Sequence, residues 1–262
     1  MEQLDPLAWV PYAKTLRGRI LFSKVWGSHS HQTSVAESDV DYLAVYAASN
    51  NALLSMDPPA DTLTGEKPDY QVHEVKKFCD LLMKGNPGII EMLFTDKFVQ
   101  SSPAWDQLRA ERKRFLTNHV VEQYLGWAGG QLHKLAAKGG KGGLHSKGGV
   151  YQEKWAYHLI RILLDVKRIA SGQEPLVWKD GEERELLMRI RREEIGQSVV
   201  EQMAKKMVAE IDSMKPWNLP EQGDKEFLNN WLLEIRGFKG SVSSGPIHSA
   251  PATIFGELNS GG

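Results

Sequence analysis

Two apolar runs set the frame of the chain. Residues 20–26 are interrupted only by Ser23 and Lys24, and residues 42–48 are apolar throughout. Each has the length of a buried strand. Residues 50–68 lose all periodicity among Pro58, Pro59, Gly65 and Pro68, and read as a loop. A short strand is predicted at 69–73, running into a helix from about Glu74 in which Val75, Phe78, Cys79 and Leu82 recur at helical spacing. Gly85-Asn86-Pro87 stops that helix and starts the next, with a glycine terminator, an asparagine cap and proline at the first helical position. From Ser102 onward the pattern is helical, over 102–116, 118–138, 151–170, 182–192, 198–214 and 224–236. Residues 1–18 carry Trp9, Val10 and Leu16 around Pro11 and read as a short helix against the sheet. Residues 237–262, rich in glycine, serine and proline, read as a disordered tail. The predicted class is α+β: a small mixed sheet with flanking helices, followed by a helical C-terminal region. The expected division is 1–116, 117–236 and a tail over 237–262.

Composition narrows this picture. With 262 residues the chain can bury a sizeable core. Lysine plus arginine (32) nearly balances aspartate plus glutamate (33), so any contact with nucleic acid is a local patch and not a global basic field. One cysteine, Cys79, excludes an internal disulfide and fits a reducing compartment. The start, Met-Glu-Gln-Leu-Asp-Pro, lacks the pattern of a secretory leader. No apolar run approaches the roughly 20 residues needed to span a bilayer. A soluble cytoplasmic protein, with no membrane partner, is expected.

The candidate chemistry lies between the first two strands, over residues 27–42. Gly27-Ser28 closes the first strand and Asp39-Val40-Asp41 opens the second, with ten residues between Ser28 and Asp39. Alternation sends Asp39 and Asp41 to one face. Side by side they repel, and one retains its proton unless a cation intervenes. Two oxygen ligands aimed at one point suit a hard divalent ion that takes its remaining ligands from water and phosphate. The glycine lets backbone approach an anion closely, and the Ser28 hydroxyl with neighbouring N–H groups suits a terminal phosphate. A phosphate cradle beside metal-binding carboxylates is the apparatus of phosphoryl or nucleotidyl transfer.

Gly-Ser, ten residues and Asp-x-Asp resemble the signature of the nucleotidyltransferase superfamily typified by DNA polymerase beta. The fuller string, Gly-Ser-His leading to Glu-Ser-Asp-Val-Asp-Tyr, is similar to its branch associated with RNA repair and RNA ligase operons. The resemblance implies a polymerase beta-like mixed sheet with flanking helices, and a third carboxylate on the strand beside Asp-x-Asp. Asp69 holds the matching place, with Glu74 in reserve; His73 stands where an aromatic is usual. The Asn-Pro followed by Glu91 also matches, with Glu91 expected to hold a basic residue of the site. Lys154, His158 and Arg161, at spacings of four and three, match a family pattern and lie on one ridge of a helix, with Asp165 beyond. Such a ridge suits either a triphosphate or solvent. Residues 138–149, rich in glycine and lysine, read as a mobile basic loop, either a linker or a flap.

Together these imply metal-dependent transfer of a nucleoside monophosphate from an NTP such as ATP to an acceptor hydroxyl. Asp39, Asp41 and Asp69 are expected to hold two magnesium (or manganese) ions. Gly27, Ser28, Lys154, His158 and Arg161 are expected to bind the nucleotide phosphates. RNA as the acceptor follows from the family association alone. Two other classes remain open: a non-catalytic nucleotide- or RNA-binding module of the same fold, and a metal-dependent phosphodiesterase.

Overall fold

The computed structural model describes residues 16–36, 38–66, 68–136 and 153–238. The expected N-terminal helix is described only at Leu16–Gly18, and the expected tail only at Gly237–Phe238. The basic loop at 138–149 lies wholly outside the described residues. Strand β1 (Gly18–Trp26) ends on a four-residue helix, α1 (Gly27–Ser30), and the chain returns as β2 (Asp41–Ala48). After α2 (Asn50–Leu53) come the edge strand β3 (Thr62–Glu66) and β4 (Asp69–Glu74). A two-residue β5 (Gln100–Ser101) completes a five-stranded sheet in the order β3-β4-β2-β1-β5. The sheet is mixed: β4 runs parallel to β2, and the other pairs are antiparallel.

Strand β2 is an apolar run and not an alternating one because both of its faces are covered. Leu43, Val45 and Ala47 join the main core, while Tyr42, Ala44, Tyr46 and Ala48 pack with Val72 on the opposite face. A register shift in β1 between Ile20 and Phe22 turns both Leu21 and Phe22 into the main core. Residues 50–68 correct the expectation of a plain loop. Ser49 caps α2 through its side chain, and Thr62–Glu66 pairs with β4. An edge strand needs pairing on one side only, so Gly65 and the nearby prolines do not prevent it.

Helix α3 (Val75–Met83) begins at Glu74, whose carboxylate accepts from the Lys76 N–H as an N-cap. Helix α4 (Pro87–Phe94) begins at Asn86 in the same manner, after Gly85 at φ +67°. Helix α5 (Pro103–Ala110) and a 3₁₀ turn (Arg112–Phe115) replace the single helix expected over 102–116. The helical wall is α6 (Asn118–Ala136), α7 (Glu153–Ala170), α8 (Gly181–Arg191), α9 (Gln197–Ser213) and α10 (Lys225–Ile235). One buried apolar cluster runs from Phe22, stacked on Trp105 at 4.4 Å between centroids, to Val166, Val200 and Trp231. The α+β class and the mixed sheet with flanking helices are as the sequence predicts. Among the described residues no helix is long and apolar enough to cross a membrane.

Candidate active site

The end of β1, the start of β2 and the start of β4 meet at one edge of the sheet. Trp26 pairs with Asp41, and Asp41 pairs in turn with Asp69 across the parallel ladder. Residues level with each other on adjacent strands point to the same face, so the Asp41 and Asp69 side chains are neighbours. Gly27 stands at φ +66°, and a Cβ there would collide with Asp41 Oδ2. Glycine is therefore required twice, for its backbone conformation and for the carboxylate beside it. Burial raises the Asp41 pKa, and Asp69 and Asp39 push it further up against the opposing pull of Lys154 and His29. Asp39 itself is exposed, two residues before Asp41.

The donors are hard carboxylate oxygens whose mutual repulsion a divalent cation would relieve, which fits magnesium or manganese in kind. Among the described residues no three of His, Cys, Asp and Glu are gathered closely enough to enclose an ion. Asp41 and Asp69 are thus an adjacent pair with Asp39 at the rim. Glu74, the reserve third carboxylate, is committed elsewhere. Its Oε1 pairs with Arg236 at 2.5 Å and accepts from the Ala48 N–H, while its Oε2 caps α3.

The Gly-Ser turn is fastened from behind. The Ser28 carbonyl accepts from the Thr33 N–H at 3.0 Å, and the Thr33 hydroxyl shares a 2.7 Å hydrogen bond with Tyr157 of α7. Helix α8 reaches the same segment twice. Arg184 Nε donates to the Gln32 carbonyl at 2.8 Å, and Arg191 Nη1 donates to the Thr33 carbonyl at 2.7 Å. Gln32 sits at φ +57°, a conformation that these contacts hold. His31, buried, pairs its Nδ1 with the Val177 carbonyl at 2.9 Å. Burial and the nearby Arg161 keep this imidazole neutral, so Nδ1 carries the proton and donates.

The ridge of α7 divides. Lys154 is exposed, and its charge acts on Asp41. His158 lies against Tyr157, with ring centroids 5.0 Å apart, and burial followed by Arg161 and Lys154 lowers its pKa to about 3. It is a neutral imidazole at neutral pH and not a cation. Arg161 is enclosed: it pairs with Glu91 and lies 3.9 Å from Asp165. The expectation of two cations and an imidazole presented together is corrected to one exposed cation, Lys154. The spacing places all three on one ridge, but α7 enters the core along it. Glu91 does hold a basic residue, and that residue is Arg161.

Besides Glu91 and Arg161, several residues with no role assigned from sequence, Lys24, His31, Lys179, Arg184 and Arg191, complete the surroundings. Glu91, Arg161, Asp165 and Lys179 form a buried chain, with Lys179 Nζ 2.5 Å from Asp165 Oδ1. The imidazole of His31 stands 3.6 Å from Glu91 Oε2. Lys24, fully buried and 4.8 Å from the Trp26 ring centre, has no hydrogen-bond partner among the described residues. Burial lowers its pKa to about 7, against the raising field of Glu91. Lys24 breaks an apolar strand run, which is a sequence signal. Arg184 and Arg191 carry none, because their carbonyl partners lie some 150 residues upstream.

A mixed sheet ends on a Gly-Ser turn beside paired aspartates, with helices as a wall, which is the arrangement that the resemblance to polymerase beta-like nucleotidyltransferases implies. The chain belongs to the RNA repair pathway DNA polymerase beta family, whose model matches residues 2–231. It is also similar to an uncharacterised 38.9 kDa protein from the nrdC–mobD intergenic region of Enterobacteria phage T4. That match is 27% identical over 130 residues and covers 44% of this chain but 38% of the phage protein. A nucleotidyltransferase-like protein from Exiguobacterium sibiricum 255-15 aligns over 79% of this chain and 71% of its own. At 9% identity and a TM-score of 0.30, that likeness is too distant to bear on function.

Proposed function

We propose that the protein is a metal-dependent nucleotidyltransferase that moves a nucleoside monophosphate from an NTP to an acceptor hydroxyl, with release of pyrophosphate. The observation that carries the reading is the Asp41–Asp69 pair, level across parallel strands beside a glycine that leaves room for the Asp41 carboxylate. Asp41, Asp69 and the rim residue Asp39 would hold two magnesium or manganese ions. When bound, these supply charge neutralisation at the phosphates and a lowered pKa for the acceptor hydroxyl. Gly27 and Ser28 receive the terminal phosphates of the NTP, and Lys154 adds a cation near Asp41. Arg161 and His158 act behind them: Arg161 fixes Glu91, and His158 packs on Tyr157, whose hydroxyl holds Thr33 of the turn. Both are positioning residues. Fixed groups contribute more to catalysis than mobile ones because they need no reorganisation at the moment of reaction. RNA as the acceptor is part of the proposal and rests on the family to which the chain belongs.

The test supplies α-phosphate-labelled ATP, CTP, GTP and UTP with magnesium or manganese, and RNA or a small-molecule extract as acceptor. Label joined to a product, absent with an Asp39→Ala/Asp41→Ala variant, is the expected result. Free labelled monophosphate as the sole product would make the protein a phosphodiesterase. Nucleotide binding without turnover would make it a binding module.

A further inference from the structure

A cavity of about 690 Å³ opens along the segment that follows Ser28. It lies between Val25 of β1, residues 29–34 of the turn, the loop before β5, and the segment between α7 and α8. Its volume is within the range of small-molecule sites, roughly 300–1,000 Å³. Its walls include the Asp96 carboxylate, which is ion-paired with Arg109, and three kinds of group suited to a nucleotide. Trp178 and Phe98 offer aromatic surface, and Phe98 is 44% exposed. Lys97 and Arg184 offer positive charge. Gln32 offers an amide whose Oε1 is buried without a hydrogen-bond partner among the described residues.

The walls are built in advance of any ligand. Trp178 is flanked by Val177, whose carbonyl holds His31, and by Lys179, which is locked to Asp165. Arg184 spends only Nε on the Gln32 carbonyl, and among the described residues its terminal nitrogens have no partner. Lys97, on an exposed loop, rests its ammonium 5.1 Å from the centre of the Trp178 ring. A planar aromatic ligand can take that place and release Lys97 to an anionic group, since an aromatic face accepts either a cation or a stacked ring.

We propose that this cavity is a nucleobase site. The base stacks on Trp178, its polar edge meets the Gln32 amide, and its phosphate faces Arg184 and Lys97. Stacked aromatics with cations along the backbone path are how proteins hold unpaired nucleotides. His29 ties the cavity to the reaction: it lines the cavity and directly follows Ser28 in helix α1. A nucleotide unit held here therefore lies along the same turn as the carboxylates. The inference deepens the transferase reading and rests on it for which nucleotide is held, the acceptor's or the incoming one. The base-binding chemistry stands without it.

Calorimetry on the full chain with magnesium tests this, using the trinucleotide ApApA, α,β-methylene-ATP and ribose 5-phosphate. Trp178→Ala is expected to weaken a base-bearing ligand about 5- to 150-fold, the loss that corresponds to ~1–3 kcal/mol of base stacking. Lys97→Glu, at an exposed position that carries no fold, is expected to weaken the same ligand. Ribose 5-phosphate binds poorly throughout. Weakening of the trinucleotide assigns the site to the acceptor; weakening of the ATP analogue assigns it to the incoming base. Affinities in both variants equal to wild type, or ribose 5-phosphate binding as tightly as the base-bearing ligands, would overturn the proposal. Trinucleotide binding that survives in Asp39→Ala/Asp41→Ala, in a protein that never transfers label, would sink the transferase reading and leave the base site standing.

Discussion

Gly27 and Asp41 share one small volume, and each constrains what the other position tolerates. Gly27→Ala adds a Cβ against Asp41 Oδ2 and forces alanine to a left-handed conformation, at a cost of about 1–2 kcal/mol. The expected outcome is a loss of label transfer of 100-fold or more, on the order of the loss when a site is displaced by about 1 Å. Transfer at the wild-type rate would show that the turn does not position the reaction. Asp41→Asn tests the electrostatics separately. A raised carboxyl pKa means that the folded chain keeps a proton which the unfolded chain has lost, between the ordinary value of 3.8 and the raised one. Stability therefore falls as pH rises through that window and stays lower above it. Without metal, Asp41→Asn is expected to melt higher than wild type at neutral pH, by about 2–4 °C for each ~1 kcal/mol of repulsion removed. The gain vanishes in acid, and activity is lost; an equal or lower Tm at neutral pH would contradict the repulsion. Alternation and spacing make Asp39 and Asp41 legible in the sequence, whereas Asp69 needs the strand order, which only the family resemblance supplied. Lys24 and His31 are visible in the sequence but silent, because their roles depend on Glu91, some 60 residues away.

Helix α7 shows where pattern reading stops. Spacings of four and three place Lys154, His158 and Arg161 on one ridge, but which part of that ridge faces solvent depends on what covers it. Helices α6, α8 and α9 pack on α7, so along that ridge Lys154 stays exposed while Arg161 ends buried beside Glu91. Breaking a buried ion pair by removing one partner costs about 3–5 kcal/mol. Glu91→Ala is expected to destabilise by that amount in urea unfolding and to reduce label transfer by loosening the turn through His31 and Arg161. A change under 1 kcal/mol, the scale of a surface pair, would show that the pair contributes little. Lys24 gives this cluster a pH signature. Its folded pKa of about 7 is below the ordinary 10.5, so the unfolded chain binds the extra proton between them, and stability rises with pH across that window. Relative to Lys24→Met, the wild type is expected to gain stability between pH 7 and 10; a flat difference would contradict a depressed lysine. Strand β3 escaped the sequence for another reason. It pairs along one edge only, so its residues need no strong apolar pattern.

For the whole molecule, one apolar cluster joins the sheet to the helical wall, from Phe22 through Val166 to Trp231. A shared core predicts that the described residues unfold together. Urea unfolding followed by tryptophan fluorescence and by far-ultraviolet circular dichroism is expected to give coincident transitions; two separated midpoints would divide the sheet from the wall. The sheet and helices were legible because long periodic runs determine them. The cavity at Trp178 was not, because four separate segments converge on it and none carries a local signature. The proposed nucleotidyl transfer rests on the Asp41–Asp69 pair. Its most direct test is label transfer from α-phosphate-labelled NTP by wild type, Asp41→Asn, Asp69→Asn and Glu74→Gln, each shown to be folded. Transfer is expected to be lost in both aspartate variants and retained in Glu74→Gln, in proportion to its folded fraction. Full transfer by Asp69→Asn, or loss confined to Glu74→Gln, would contradict the proposal.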